Sequence, residues 1–341
     1  MMSFCDFTTT RSVSGVHPGY LPDALEPNRC SRRRDEKSDS NLERIGNRHH
    51  NRTMITPEEW KTAGDFVEID GLHVFRRRDG SDTTATLCLH GFPTSSFDFS
   101  RMWTAIGDLS PIAFDMIGYG FSSKPANFEY TTFRQADMLE AALAESGVKR
   151  VHILAHDYGN TITQEFLARR DEGRLGFEIE SICFLNGALF PETHRPILAQ
   201  KILISRFGSF FARLITDRRF KSSLASVFGP ESRPSEAELD QMMENFKHNG
   251  GKRIAHLLIR YMTERATFRE RWVAPLGRIG VPFRFINGLA DPVSGRHLVE
   301  RFREVVPHET DIVELDRIGH FPHLEATPFV IDEYRRFRNF V

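Results

Sequence analysis

Three polar residues in this chain follow predicted strands, and their side chains suit nucleophilic catalysis. Asp157 follows the apolar run 151–155, while Asp291 and His320 follow the last two strand-like runs of the sequence. A carboxylate can attack an electrophilic carbon directly, and a histidine oriented by a second carboxylate can activate water. We therefore treat Asp157 as a candidate nucleophile, His320 as a candidate base and Asp291 as the acid that orients this base.

The segment around Asp157 has the pattern of a strand, a sharp turn and a helix. Ala155 and Gly159 flank Asp157 at two residues on either side, where a tight turn requires small side chains. The sequence contains no Gly-x-Ser-x-Gly pattern, so no serine stands at a comparable corner. The alternative interpretation is that Asp157 only caps the helix that follows the strand.

Composition and charge indicate a soluble globular protein of enzyme size. The chain has 341 residues, of which 40% are hydrophobic and 27% charged, and its formal net charge is −1. This balance gives no reason to expect a nucleic-acid partner. The cysteines are scattered and predict no disulfide framework. Because neither a signal peptide nor an apolar stretch long enough to span a bilayer is visible, we predict a cytoplasmic location, with membrane association left open.

The first part of the chain, residues 1–53, is polar and shows no apolar periodicity. We predict that this leader is disordered, because it cannot bury enough surface to offset the entropy of ordering. A true start at Met54 is one hypothesis for the leader, and a targeting segment is the alternative. Order is predicted to begin at Thr56, which can form a capping box with Glu59.

Beyond the leader, strand and helix patterns alternate as they do in a doubly wound, mostly parallel α/β sheet. The first two strands are predicted to form a hairpin at the sheet's edge, and a capping box of Thr132 with Gln135 is predicted to open a helix. This architecture predicts a core domain in two pieces, 54–189 and 276–341. The predicted strands are 66–70, 72–75, 84–89, 111–114, 151–155, 180–185, 281–286 and 310–315.

Residues 190–275 interrupt this alternation and are predicted to form an inserted helical cap, with helical segments at 197–216, 235–249 and 252–271. Basic residues accompany phenylalanine, leucine and isoleucine side chains from Arg206 to Lys221. One interpretation is contact with an anionic membrane surface. We favour the other, in which the aromatic side chains pack on the core domain and the arginines face water.

Several motifs together resemble the epoxide hydrolase and haloalkane dehalogenase branch of the α/β-hydrolases. These motifs are His-Gly-Phe-Pro at 90–93, His-Asp-x-Gly at 156–159, the late Asp291 and the late His320. The resemblance covers residues 56–341. Within this branch the closest likeness is to the mesoderm-specific transcript homologue proteins, through longer segments at 90–98, 155–159, 186–196 and 227–236.

The resemblance implies an α/β-hydrolase fold with a cap and a two-step hydrolysis without a metal or an organic cofactor. Asp157 would form an alkyl ester with a small apolar organic substrate, and His320, oriented by Asp291, would activate the water that hydrolyses the ester. The backbone N–H groups of Phe92 and Tyr158 would form the oxyanion hole.

The leaving group is predicted from departures from the family pattern. Dehalogenases of this branch place Trp after the nucleophile to hold the halide, whereas this chain has Tyr158 there. Epoxide opening needs an acid, and Tyr261 of the cap is the candidate, although it can also be a tyrosine packed in an apolar helix face. We therefore favour an epoxide hydrolase-like activity. The alternatives are a haloalkane dehalogenase-like hydrolase and a catalytically inactive binding or scaffold protein of the same fold.

Overall fold

An eight-stranded sheet is the centre of the part of the chain that this computed structural model describes, residues 55–308 and 311–341. The spatial order is β1-β2-β4-β3-β5-β6-β7-β8, in which β1 and β2, and β2 and β4, pair antiparallel and all other neighbours pair parallel. The predicted mostly parallel α/β sheet is therefore confirmed. The strands are β1 Asp65–Ile69, β2 Leu72–Arg78, β3 Thr84–Leu89, β4 Pro111–Phe114, β5 Arg150–Ala155, β6 Glu178–Phe184, β7 Phe283–Gly288 and β8 Ile312–Leu315.

The central strands are apolar on both faces because the sheet separates two hydrophobic cores. In β3, Leu87 and Leu89 pack in one core, and Cys88 between them packs in the other. Such continuous apolar runs are typical of parallel strands that helices cover on both sides. The hairpin at the edge turns through Asp70 and Gly71, both with positive φ, which is the usual geometry of a two-residue hairpin loop.

Fourteen α-helices connect and cover these strands within the described residues. They are α1 Pro57–Thr62, α2 Ser100–Trp103, α3 Thr132–Glu145, α4 Tyr158–Asp171, α5 Leu198–Ile204, α6 Gly208–Leu214, α7 Asp217–Ala225, α8 Glu236–Lys247, α9 Gly251–Leu258, α10 Tyr261–Thr267, α11 Arg269–Val273, α12 Arg296–Val305, α13 Pro322–Glu325 and α14 Thr327–Arg338. Short 3-10 helices lie at Ser96–Phe99, Thr104–Leu109, His248–Gly250 and Ala274–Arg278.

One of the two predicted capping boxes is confirmed and the other is wrong. Thr56 and Glu59 form the box at the start of α1. At α3 the cap is Thr131, whose side chain accepts from Arg134 N–H. Thr132 instead donates its N–H and its hydroxyl to a carboxylate oxygen of Glu264, at 2.8 and 2.7 Å. Glu264, which is distant in sequence, has therefore replaced Gln135 as the partner of Thr132.

The predicted cap segment, 190–275, contains the seven helices α5 to α11 and no strand. These helices are shorter than the three predicted segments. Gly208 begins α6 after a break, and Asn249 and Gly250 adopt positive φ between α8 and α9. The boundaries of the cap as a separate domain stay a prediction.

The predicted packing of the basic aromatic segment is wrong in its main feature. Phe207, Phe210 and Phe211 are 52%, 60% and 40% exposed, so these rings do not pack on the core domain. Phe220, further along, is buried as predicted. The leader, 1–53, lies outside the described residues. Among those that are described, no helix is long and apolar enough to cross a membrane.

Candidate active site

Asp157 occupies a strained corner between β5 and α4. Its backbone has φ 47° and ψ −105°, a conformation that residues other than glycine rarely adopt. Glycines make room for the corner, since a Cβ on Gly159 would lie 2.5 Å from the Leu89 carbonyl oxygen and one on Gly187 would lie 2.3 Å from Asp157 Cα. The side chain of Asp157 does not cap α4. The alternative interpretation of Asp157 as a helix cap is therefore wrong.

The buried carboxylate of Asp157 contacts a backbone donor and a cation. Phe92 N–H donates to Oδ2 at 3.0 Å, and Arg265 Nη2 lies 3.7 Å from Oδ1. Burial alone would raise the pKa of Asp157, but the charges of His320 and Arg265 bring this pKa below its ordinary value. Asp157 is therefore anionic at neutral pH and needs no base to act as a nucleophile.

His320 and Asp291 form a hydrogen-bonded pair that is electrostatically coupled to Asp157. His320 Nδ1 lies 2.7 Å from Asp291 Oδ2. The Ser294 hydroxyl donates to Oδ2 of Asp291 at 2.6 Å, and Val293 N–H donates to Oδ1 at 2.7 Å. Burial opposes protonation of His320, yet the charge and hydrogen bond of Asp291, and then the charge of Asp157, raise the pKa of His320 to about 9. The imidazole is therefore protonated in the free protein at neutral pH.

The two predicted oxyanion donors have different surroundings. Phe92 N–H already holds the Asp157 carboxylate. Tyr158 is the first residue of α4, a position whose N–H has no partner within the helix. The Tyr158 ring stacks on Tyr261, with ring centroids 4.3 Å apart. Tyr158 thus follows the candidate nucleophile in sequence, and Phe92 contacts it from the loop after β3. Their joint role as an oxyanion hole stays a prediction.

Tyr261, the predicted cap acid, is completely buried. The guanidinium carbon of Arg265 lies 4.7 Å from the centroid of its ring. By distance and angle the Tyr261 hydroxyl has no hydrogen-bond partner among the described residues, but it interacts with the side chain of Asp157. Burial, and then the charge of Asp157, raise the pKa of Tyr261 well above its ordinary value, so the phenol is protonated and able to donate. Packing in an apolar helix face accounts for the ring of Tyr261 but not for the interaction of its hydroxyl with Asp157.

A cavity of about 180 Å³ connects the site to the cap. Phe92 and His320 line it from the core domain, and Phe211, Leu214 and Phe220 line it from the cap. Its walls are mostly apolar, as is typical of pockets that take small organic ligands. The cavity therefore provides an apolar approach to the predicted base.

Comparison with known proteins assigns this chain to a family. Residues 85–327 match the family model described as alpha/beta hydrolase fold. The chain belongs to this hydrolase fold family. It is 39% identical to the mesoderm-specific transcript homolog protein of Bos taurus over 293 residues, which cover 82% of this chain and 87% of that protein. It is also 35% identical to LipZ of Mycobacterium tuberculosis over 276 residues, which cover 80% of this chain and 95% of LipZ.

Solved structures agree with this assignment. The haloalkane dehalogenase DatA from Agrobacterium tumefaciens C58 superposes with a TM-score of 0.67 over 82% of this chain and 97% of DatA, at 19% sequence identity. At that identity the likeness concerns the fold alone. The resemblance inferred from the sequence motifs is nevertheless confirmed by the family match and the closer relatives.

Sequence reasoning missed one charged residue of this alpha/beta hydrolase site. Arg265 of α10 is 2% exposed and reaches Asp157, the candidate nucleophile, from the cap. Its Nε donates to the Thr161 hydroxyl at 2.7 Å and its Nη2 to the Asp157 carbonyl oxygen at 3.3 Å, while Nη1 has no partner among the described residues. The spacing of four between Tyr261 and Arg265, which places both on one helix face, was the available signal.

Two uncharged groups were also missed. Asn186, near the start of the loop after β6, accepts from Asp157 N–H through its carbonyl oxygen at 2.7 Å. Its side-chain amide donates to Asp291 Oδ2 at 3.1 Å, so one residue holds the backbone of Asp157 and the carboxylate of Asp291. His194 of the cap has two ring nitrogens without a partner among the described residues. Burial, and then the charge of Arg265, lower the pKa of His194 to about 4, so this imidazole is neutral.

One buried cluster next to the site has a composition that could hold a metal ion. Asp98, His156 and His323 offer ligand atoms that all lie within 4.8 Å of one another. Burial lowers the pKa of His156 to about 3 and that of His323 well below its ordinary value, and it raises the pKa of Asp98 to about 8. The imidazoles are therefore in the form that binds metals, whereas the carboxyl favours its proton. The chemistry proposed below uses side chains and water only.

Proposed function

We propose that this protein is a hydrolase that opens an epoxide through a covalent ester on Asp157. The observation that carries the proposal is the anionic Asp157 carboxylate at a strained corner, held by Phe92 N–H at 3.0 Å and coupled to the His320–Asp291 pair. The apolar cavity favours a small apolar organic substrate. Water is the second reactant.

In the first step, a carboxylate oxygen of Asp157 attacks a ring carbon and the bond from that carbon to the ring oxygen breaks. The negative charge moves from Asp157 to the ring oxygen, which takes the proton of the Tyr261 hydroxyl. Arg265 Nη1, which has no protein partner among the described residues, supports this charge as it develops. The products are a hydroxyalkyl ester of Asp157 and a phenolate.

In the second step, the ester changes the protonation of His320. Esterification removes the charge of Asp157, which is one of the interactions that raise the pKa of His320, so the imidazole can lose its proton. Neutral His320 then takes a proton from water, and the hydroxide attacks the ester carbonyl while the N–H groups of Phe92 and Tyr158 hold the oxyanion. Collapse of the tetrahedral intermediate breaks the ester C–O bond, the departing alkoxide takes a proton from the His320 imidazolium, and the Asp157 carboxyl returns its proton to His320. The proton that His320 lost at the start of this step passes to the Tyr261 phenolate, so Asp157, His320 and Tyr261 all return to their initial forms.

Epoxides are favoured over halides by two observations. The residue after the nucleophile is Tyr158, whose side chain stacks on Tyr261 and offers no indole N–H to a halide. The protonated Tyr261 hydroxyl supplies an acid that epoxide opening needs and halide release does not. Arg265 can attract either anion, so a haloalkane dehalogenase-like activity is the second candidate.

Intact-mass analysis of His320→Gln protein tests the proposal and separates the candidates. Removal of the base should leave the Asp157 ester unhydrolysed. An epoxide adds its whole mass to the protein, whereas an alkyl halide adds only its alkyl group because the halide departs. We expect adducts with the whole epoxide mass, mapped to the peptide that contains Asp157.

The matched control is the Asp157→Asn/His320→Gln protein, which should form no adduct. If alkyl halides form adducts in preference to epoxides, and these adducts lack the mass of the halogen, the proposed reaction is dehalogenation and not epoxide opening. Absence of any adduct, together with wild-type protein that turns over neither class, would refute the proposal in favour of an inactive scaffold.

A further inference from the structure

We infer that an exposed aromatic and basic surface of the cap docks on an anionic lipid bilayer and admits substrate from the lipid into the cavity. The docking stands on the surface itself, and the delivery of substrate rests on the proposed function. We call this surface the cap face. It consists of Leu198, Phe207, Phe210, Phe211 and Leu214, with the arginines Arg206, Arg213, Arg218 and Arg219 around them.

The cap face concentrates exposed apolar side chains in one place. Leu198, Phe207, Phe210, Phe211 and Leu214 are 73%, 52%, 60%, 40% and 53% exposed. In the described part of the chain only eight large hydrophobic side chains are exposed, and these five lie within a stretch of 17 residues formed by α5, α6 and the turn between them, with α5 and α6 packed together. Scattered exposed hydrophobics are normal on a protein surface, but such a cluster indicates a binding surface.

The charge around the cap face is complementary to an anionic surface. Residues 195–219 contain six basic residues and one acidic residue, Asp217. Asp217 pairs with Lys247, which lies outside this stretch. The four arginines of the cap face are exposed, and none of them forms an ion pair with another described residue. Many other surface arginines are paired, for example Arg303 with Glu314 at 2.5 Å, although Arg195, Arg253 and Arg260 are also exposed without an ion pair among the described residues.

The cap face is continuous with the cavity that reaches the candidate site. Phe211, Leu214 and Arg219 belong to the cap face and also line the cavity, together with Phe92 and His320. Docking would therefore bring the entrance of the cavity to the lipid, and an apolar substrate dissolved in the bilayer could enter without crossing water. Because apolar groups favour the bilayer by about 0.8 kcal/mol per CH₂, the inferred substrate class is alkyl-bearing and membrane-soluble.

The charge of the cap face argues against two other occupants, a second copy of the chain and the leader, 1–53. A second copy of the chain would place two basic surfaces against each other, and like charges across an interface are unfavourable. The leader contains nine basic and seven acidic residues in 1–53, so its net charge has the same sign as the cap face. An anionic lipid surface has the opposite sign and contributes about 1 kcal/mol for each adjacent arginine.

Vesicle co-sedimentation of the full chain tests the inference. We expect binding to vesicles of phosphatidylcholine with phosphatidylglycerol, weaker binding in high salt, and little binding to phosphatidylcholine alone. Phe207→Ser/Phe210→Ser should lower the partition coefficient about tenfold or more. Replacing Arg206, Arg213 and Arg218 by Gln should lower it about a hundredfold on the anionic vesicles.

Matched controls change the same residue types away from the cap face. Phe340→Ser removes a ring that is 84% exposed near the C-terminus. Replacing Arg150, Arg296 and Arg303 by Gln gives the same net charge as the triple cap variant. Both controls should bind vesicles as the wild type does, and circular dichroism should show that every variant is folded.

Three outcomes would overturn the inference. In the first, the wild type binds neither kind of vesicle. In the second, the control variants lose as much binding as the cap variants. In the third, binding appears only after deletion of residues 1–53. A different result would assign the cap face to self-association. In that case the wild type does not bind vesicles but forms a dimer in analytical ultracentrifugation, and Phe207→Ser/Phe210→Ser dissociates this dimer.

Delivery of substrate has its own readout. Phe207 and Phe210 do not line the cavity, so the Phe207→Ser/Phe210→Ser protein should turn over a water-soluble epoxide normally and lose activity only on a long-chain alkyl epoxide presented in anionic vesicles. Equal losses on both substrates would refute delivery from the bilayer. Failure of the adduct test with His320→Gln would refute the proposed function without affecting vesicle binding, so the two failures are distinguishable.

Discussion

Replacing Arg265 by Gln should slow formation of the Asp157 ester by about 10²-fold to 10³-fold. Arg265 Nη2 lies 3.7 Å from Asp157 Oδ1, and two unit charges at that distance interact by about 4 kcal/mol at an effective dielectric constant near 20. This distance is longer than a hydrogen bond. Nη1 of Arg265, which has no partner among the described residues, can instead donate a hydrogen bond to the leaving oxygen as charge develops there. Only interactions that become stronger between the ground state and the transition state accelerate the reaction. One such donor lowers the activation free energy by about 3 kcal/mol.

Single-turnover ester formation, measured by intact mass in a His320→Gln background, isolates this step. Because Arg265 lowers the pKa of Asp157 in the native protein, its removal should also move the acid limb of the rate to higher pH. Arg269→Gln is the matched control, since this nearby arginine pairs with Glu192 at the surface, at 2.6 Å, and should leave the rate unchanged. Equal rates of ester formation with and without the Arg265→Gln change would refute the reasoning.

Four further predictions concern the protonation and packing of the site. The pKa of His320, about 9 in the free protein, should fall in Asp157→Asn, and an unchanged value in an NMR titration would contradict the coupling. Because the folded pKa of His320 exceeds its ordinary value of 6.5, its proton stabilises the fold fully below pH 6.5, and this stabilisation is lost as pH rises through about 9, as urea unfolding of wild type and His320→Gln should show. Tyr261→Phe should lower epoxide turnover about ten- to a thousandfold without unfolding the protein, and unchanged turnover would exclude this phenol as the acid. Gly187→Ala should lower the free energy of unfolding by about 2 to 4 kcal/mol, because its φ is 154° and the added Cβ would lie 2.3 Å from Asp157 Cα. Gly277→Ala, whose added Cβ meets nothing within 4 Å, is the control and should change little.

Local sequence determined most of the secondary structure and the position of the candidate nucleophile, because the relevant signals act over a few residues. The continuous apolar runs of β3 and β5 predicted strands buried on both faces, and both lie in the middle of the sheet. Small residues around Asp157 predicted the sharp turn that the structure shows as a positive φ. Prediction failed at Thr132 because Glu264, distant in sequence, outcompetes the local capping partner.

Only the tertiary structure decided which side chains complete the site and which surface of the cap stays open. Arg265 contacts Asp157 across 108 residues of chain, and its spacing from Tyr261 places both on one helix face without indicating that this face meets Asp157. An amphipathic pattern predicts that α6 has an apolar face, but not whether that face is covered. The packing of α6 against α9 buries Gly208 and Ala212 and leaves Phe207 and Phe210 in solvent. Burial depends on contacts between residues far apart in sequence, and helical periodicity carries no information about them.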